Sequence, residues 1–241
     1  MVKSRRSLGK ALLVFCAIAS ITASAQSVDE PVRFRLLSLF GSLSFLYETE
    51  DGPKRMYTSS SSFSSWYEAP DNRRLNFYRE VPAPEPELPP VKHTLADLTL
   101  PSGPGPFLVV LMKKSDGEGL NSIILDHSLE AHPPSRYRAF NFSKRRMAVR
   151  LAEQDILLEP SGSALVNYPE GRKTWLKIAV DQPDTGWIKV VSKPRPVDNQ
   201  TRSTIVILDI PPSVRDLDPI GVIVREVREQ IVEGEQGSTL Q

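Results

Sequence analysis

The stretch Val32-Arg33-Phe34-Arg35-Leu36-Leu37-Ser38-Leu39 has a counterpart about a hundred residues later in Ser135-Arg136-Tyr137-Arg138-Ala139-Phe140-Asn141-Phe142. In each, two arginines flank an aromatic and apolar residues follow. Successive side chains of a strand point to opposite faces, so Arg33, Arg35, Leu37 and Leu39 share one face, as do Arg136, Arg138, Phe140 and Phe142. A straight, half-buried strand cannot place two charges and then two large apolar groups on one face unless its surroundings change along the way. The pattern therefore predicts a bulge, or a passage from rim to core, near Leu36-Leu37 and Ala139-Phe140, with the arginines at the rim. On this reading, replacing Arg35 or Arg138 by alanine costs less than about 1 kcal/mol.

The echo extends along the chain. Arg33 and Arg136 differ by 103 positions, and "RRLNFYREV" (Arg73 to Val81) and "RKTWLKIAV" (Arg172 to Val180) by 99. The tripeptide "ILD" recurs at Ile124 to Asp126 and Ile207 to Asp209, an offset of 83. The drop falls beyond "PAPEPELPPVK" (82–92), whose five prolines favour an extended connector and lack the donors a central strand needs. Between these landmarks lie short runs rich in branched and aromatic residues, separated by turn signals such as Asp51-Gly52-Pro53, Asp116-Gly117, Glu170-Gly171 and Asp184-Thr185-Gly186. No helical crossover of the kind a parallel α/β sheet requires is recognisable in the middle of the chain.

The expectation is an all-β chain of two related antiparallel, Ig-like β-sandwich modules. The first covers 26–128 with the proline-rich insert, and the second covers 135–211. Asp218-Pro219 then reads as a cap and first turn, with Ile220, Val224, Val227 and Ile231 on one face, which predicts a C-terminal amphipathic helix over 212–233 and a flexible tail at 234–241, with Gly221-Val222-Ile223-Val224 as a last edge strand the alternative.

The first 25 residues have a basic start, an apolar run and Ala23-Ser24-Ala25, the layout of a secretory signal peptide. Arg5-Arg6 also fits a twin-arginine signal. Removing the segment takes away four of the thirty basic residues and the single cysteine, Cys16, leaving 26 basic against 29 acidic and no thiol. A cysteine-free exported chain points to a bacterial periplasm or cell surface. The near balance of charge disfavours nucleic acid as a partner, and no stable membrane span is expected once the signal is gone. The charge is uneven: 26–134 hold 10 basic and 15 acidic residues, 135–241 hold 16 and 14.

No motif for a reaction, cofactor or metal is present. Asp126-His127, with Glu130 and His132, lacks a third ligand at a recognisable spacing. The serines at 59–62 and 64–65 lack a G-x-S-x-G elbow and read as a polar loop. Trp66 and Tyr67 are the candidate ligand-binding pair, able to stack a sugar ring, and alternation predicts that one of them reaches the surface if the other is buried. Trp175 and Trp187 could belong to the same platform, but their large apolar area places them in the core of a duplicated sandwich. Lys144, Arg145, Arg146 and Arg150 form the densest basic group, a candidate surface for an acidic partner. The sequence thus points to an exported, non-enzymatic envelope or surface module that binds a protein or glycan. Carbohydrate binding through surface aromatics, or an exported hydrolase or cofactor carrier, are the alternatives.

Overall fold

A computed structural model describes residues 31–85, 87–114, 117–210, 220–234 and 237–240, with side chains through Ile231. The N-terminal 1–25 segment and residues 211–219 lie outside the described residues. Among those described, every regular element is a strand. The first half contains β1 (Arg33–Ser38), β2 (Leu43–Thr49), β3 (Gly52–Thr58), β4 (Tyr67–Glu68), β5 (Arg74–Val81), β6 (Val91–Thr99), β7 (Phe107–Lys113) and β8 (Leu120–Asp126). The second contains β9 (Arg136–Asn141), β10 (Met147–Leu151), β11 (Gln154–Leu158), β12 (Ser163–Asn167), β13 (Lys173–Gln182), β14 (Gly186–Pro196), β15 (Thr201–Asp209), β16 (Val222–Gly234) and β17 (Gly237–Leu240).

The pairings repeat. The order β4-β1-β7-β8 is matched by β12-β9-β15-β16, and β3-β2-β5-β6 by β11-β10-β13-β14. Each half is thus a two-sheet sandwich, but not a purely antiparallel one: β1 runs parallel to β7, and β9 to β15. Nor is the connectivity that of an immunoglobulin domain, whose first strand sits with the second, fourth and fifth. Here the first strand lies between the fourth and the seventh. The pairings also correct the third offset, because Ile124–Asp126 closes β8 whereas Ile207–Asp209 closes β15, the counterpart of β7. The proline-rich stretch does mark a difference between the halves: residues 82–90 join β5 to β6, where only 183–185 join β13 to β14.

Three apolar layers follow from strand alternation. Phe34, Phe45, Phe77 and Val109 are among those filling the first sandwich, and Tyr137, Val149, Ile178 and Ile205 among those filling the second. The third layer lies between the sandwiches, where Leu37, Leu108 and Val110 of β4-β1-β7-β8, with Leu39 just after β1, meet Val206, Leu208 and Val227 of β12-β9-β15-β16. The chain is a stack of four sheets, and its two inner sheets are covered on both faces.

This arrangement settles what the opening motif means. Leu37 and Leu39 do not leave a rim for their own core; they face the other module. β1 pairs with β7 in unbroken register from Phe34 to Ser38, and β9 with β15 from Tyr137 to Asn141, so neither carries the expected bulge. The bulges lie instead in the β5–β6 and β13–β14 pairs, at Phe77/Tyr78 and Ile178/Ala179.

Over the described residues from Val222 on, the C-terminal helix gives way to the alternative, a last strand. Val222 to Gln230 pair residue by residue with Asp209 to Thr201 of β15, and 237–240 fold back on 231–234 as β17, so the second module runs well past 211 and the expected tail is paired. The four residues assigned to one helical face divide by parity: Ile220 and Val224 join the second core, whereas Val227 turns to the layer between modules. The sandwich needs an eighth strand to cover its sheet, and tertiary packing overrode an ambiguous local pattern.

Because the middle layer belongs to both modules, Leu37→Ala is expected to lower the stability of the whole chain by about 2–5 kcal/mol. Leu157→Ala, at a half-exposed site, should cost under about 1 kcal/mol. Urea unfolding of the two variants makes the comparison, and equal losses would contradict a shared core.

Candidate functional site

The conspicuous polar constellation is buried at the junction of the modules. Arg35, only 2% exposed, does not lie at the rim as alternation had suggested. Its guanidinium is paired with Glu229 of β16 and contacts His127 just after β8. Glu229 also accepts from Arg202 Nε of β15 at 2.6 Å and lies 3.0 Å from His127 Nε2. Arg202 donates further to the carbonyls of His127 (3.0 Å), Ser128 (3.1 Å) and His132. Phe63 and Trp66 cover the Arg35 guanidinium, with ring centroids 4.0 and 4.5 Å from its central carbon. Its counterpart Arg138 is partly buried as well, donating to the Asp126 carbonyl at 2.8 Å beside the Phe140 ring.

Burial dominates the electrostatics. Desolvation, with Arg35 and Arg202 adding repulsion, pushes His127 down to about 4, and desolvation with Arg202 pushes His132 down to about 3. Desolvation alone would raise Glu229, but bonding to His127 and attraction from His127, Arg35 and Arg202 overcome it and bring the carboxyl to about 2. Desolvation lowers Arg35 to about 10 despite Glu229. The imidazoles are therefore neutral and the carboxylate charged at neutral pH. A neutral His127 satisfies Glu229 when Nε2 carries the proton, and Arg35 then bonds the carboxylate rather than the ring. Arg35 Nε, Trp66 Nε1 and His132 Nδ1 have no hydrogen-bond partner among the described residues, so part of the desolvation cost is not offset. Among the described residues no group of three His, Cys, Asp or Glu side chains could hold a metal. Chemically the cluster is an ionic latch, in which the Glu229 carboxylate holds the His127 imidazole and the Arg35 and Arg202 guanidiniums.

The solvent-facing chemistry lies on the outer sheet of the second module. Along β13, Thr174, Leu176, Ile178 and Val180 are buried, leaving Lys173, Trp175, Lys177, Ala179 and Asp181 on the outer face. Trp175 is 53% and Trp187 47% exposed, so the volume argument that placed both in the core is wrong here. The signal that would have found them is parity, because Trp175 alternates in phase with Lys173 and Lys177 rather than with the branched apolar residues. Register aligns the rows of this face: Asp155, Arg150 and Lys177 in one, Leu157, Ala148, Ala179 and Lys189 in the next, and Asp181 with Trp187 beyond. Ala148 and Ala179 lie side by side and carry only methyl groups, which opens a hollow of about 480 Å³ rimmed by Arg150, Lys177, Lys189, Asp155 and Leu157.

The sequence-selected residues are dispersed. Tyr67 is buried in the first core, its hydroxyl accepting from the Tyr57 amide at 3.3 Å, whereas Trp66 turns to Arg33 and Arg35 on the other side. They form no common platform. The basic group also separates: Arg145 donates to Asp209 at 3.0 Å and to the Ile220 carbonyl at 2.9 Å, tying the β9–β10 turn to β15. Arg146 pairs with Asp181 beside the Trp187 ring, Lys144 is exposed at the turn, and Arg150 reaches the hollow. In comparisons with known proteins, no family model matches the chain and no curated protein matches it in sequence.

Two outcomes test the latch. Arg35→Ala leaves a buried carboxylate short of one partner and should destabilise the chain by about 3–5 kcal/mol in urea unfolding. A loss below about 1 kcal/mol, the value expected of an exposed arginine, would refute the latch. The pH response has a defined sign. His127 and His132 drop from an ordinary 6.5 to about 4 and about 3, so the unfolded chain takes up protons that the folded chain refuses. Their contribution is fully present above pH 6.5 and is lost progressively as pH falls through that window, with Glu229 adding the same sign from 4.5 to about 2. Melting temperatures should therefore fall from about pH 7.5 to about pH 5, and less steeply in His127→Gln. An identical slope in the variant would remove His127 from the account.

Proposed function

We propose that this chain is an exported, non-enzymatic binding module of the cell envelope, with the outer face of β10, β11, β13 and β14 as its contact surface. The observation that carries the reading is two half-exposed tryptophans, Trp175 and Trp187, on a face that also holds a hollow of about 480 Å³. Indole rings are costly to leave in water, and a concave surface beside them favours a ligand that covers them. The signal-like N-terminus supports export to a periplasm or cell surface, and among the described residues no helix is long and apolar enough to cross a membrane. The buried histidines, being held by Glu229 and backbone carbonyls, offer no support for hydrolysis.

A glycan is the ligand this face suits best, because the apolar face of a sugar ring stacks on an exposed indole. Of the four aromatics that could form a platform, Trp175 and Trp187 are the two tryptophans on an open face. Intrinsic fluorescence titrated with a panel of neutral and acidic polysaccharides tests it. A saturable shift is expected, lost in the Trp175→Ala/Trp187→Ala double variant, whose stability should change by less than about 1 kcal/mol per site. A shift that survives in the double variant, or a flat response to every polysaccharide, would overturn the proposal.

A further inference from the structure

We infer that the ligand of this face is an acidic polysaccharide, with its chain lying along β13 between the two tryptophans and its anionic groups over the hollow. The inference rests on the proposed binding role and adds the ligand's charge. Trp175 and the partner of Trp187, Asp181, stand six residues apart on one strand, so the indoles are separated by about 20 Å along the sheet, a span that suits a polymer rather than a single ring. Between them lie Lys177, Lys189 and Arg150 around the methyl floor of Ala148 and Ala179. The one acid at the rim, Asp155, sits 3.6 Å from Arg150 and is itself largely exposed. Lys177 and Lys189 form no ion pair with any described residue.

The first module supplies an internal control. On its corresponding outer sheet two cations are answered across the strands, Arg74 bonding Asp97 at 2.9 Å and Lys92 bonding Glu48 at 2.7 Å, while Arg55 and Arg79 stand exposed beside them. Its half holds more acids than bases, whereas the second half holds the reverse. The two outer faces thus start from one framework and differ in their balance of charge, and the second gathers Lys177 and Lys189 around its alanine floor. Unpaired lysines around a shallow floor raise the local concentration of an anion and can bond its carboxylate or sulfate oxygens. The flanking indoles are separated by these cations rather than gathered at a projecting loop, which suits the alternating apolar faces and charged groups of an acidic glycan better than a lipid surface.

Dextran and dextran sulfate share a backbone and differ in charge, so titrating the full chain with both, and with alginate as a carboxylated probe, separates the ideas. Dextran sulfate and alginate should bind, weakening at least tenfold between about 0.05 and about 0.5 M salt, with dextran at least tenfold weaker. Lys177→Gln/Lys189→Gln should lose about tenfold in affinity for both anionic polymers, while Arg55→Gln/Arg79→Gln, an equal charge change on the first module, should leave it unchanged. Dextran binding as well as its sulfate, through the tryptophans, would keep the binding role and overturn the charge inference. Equal losses in the two double variants would reduce the effect to diffuse attraction and overturn it too. Preference for phosphatidylglycerol vesicles over both polymers would replace the glycan by a membrane, and no binding to any probe would remove both readings.

Discussion

One carboxylate, Glu229, organises the junction on which the four-sheet stack depends. It draws Arg35 from the first module and Arg202 from the second into one dry cluster, and His127 closes the set. Leu37, Val110, Val206 and Val227 around it bury apolar area but are non-directional, since branched side chains tolerate many mutual positions. A carboxylate shared by two guanidiniums tolerates few, because each displaced bond would leave a buried charge short of a partner. The apolar layer gives the modules a reason to associate, and the charges select the alignment in which they do so.

The opening arginine motif becomes intelligible in that light. Arg35 and Arg138 lie at matching positions of the two central strands, and both turn toward the partner module. A free sandwich would present that face to water, where arginine needs no partner. Stacking the duplicated sandwiches buries it, so the apolar end of each strand joins the middle layer and the cationic end must find acceptors. Arg35 finds Glu229, and Arg138 finds the carbonyl of Asp126 at the end of β8. The same alternation thus describes a rim in a solitary module and an ionic latch in a pair.

What could be read from the residues, and what could not, follows from how far each property reaches. Strands such as β13 and β15 are written locally in branched residues bounded by turns, and the duplication is visible as offsets near one hundred. Burial of β1 on both faces depends on a second sheet that no local pattern announces. Nothing within Val32 to Leu39 distinguishes an exposed Arg35 from a buried one. The last strand failed for a different reason: Ile220, Val224, Val227 and Ile231 fit a helical face as well as two sides of a strand, and only pairing with β15 decides between them. Trp175 was legible, since its parity with Lys173 and Lys177 marks the solvent face, but side-chain volume argued the other way. Trp66 shows the converse, with Arg33 and Arg35 drawing it away from the Tyr67 side.

Stacking two copies of a sandwich leaves each with one fully free face, the outer sheet, because the inner sheet is consumed by the junction. Any recognition that uses a sheet face must therefore arise on β3-β2-β5-β6 or on β11-β10-β13-β14. The first closes two of its charges across the strands, Arg74 with Asp97 and Lys92 with Glu48, and Lys92 also covers the Tyr78 ring. The second keeps Lys177 and Lys189 outside such pairs and sets two alanines where larger side chains would fill the floor. One of its two edges, β14, carries Lys189, Lys193, Pro194 and Pro196, and lysine and proline along an edge discourage the addition of another strand. With the inner face occupied by the junction, the face between Trp175 and Trp187 is the sheet surface of this module that stays uncovered.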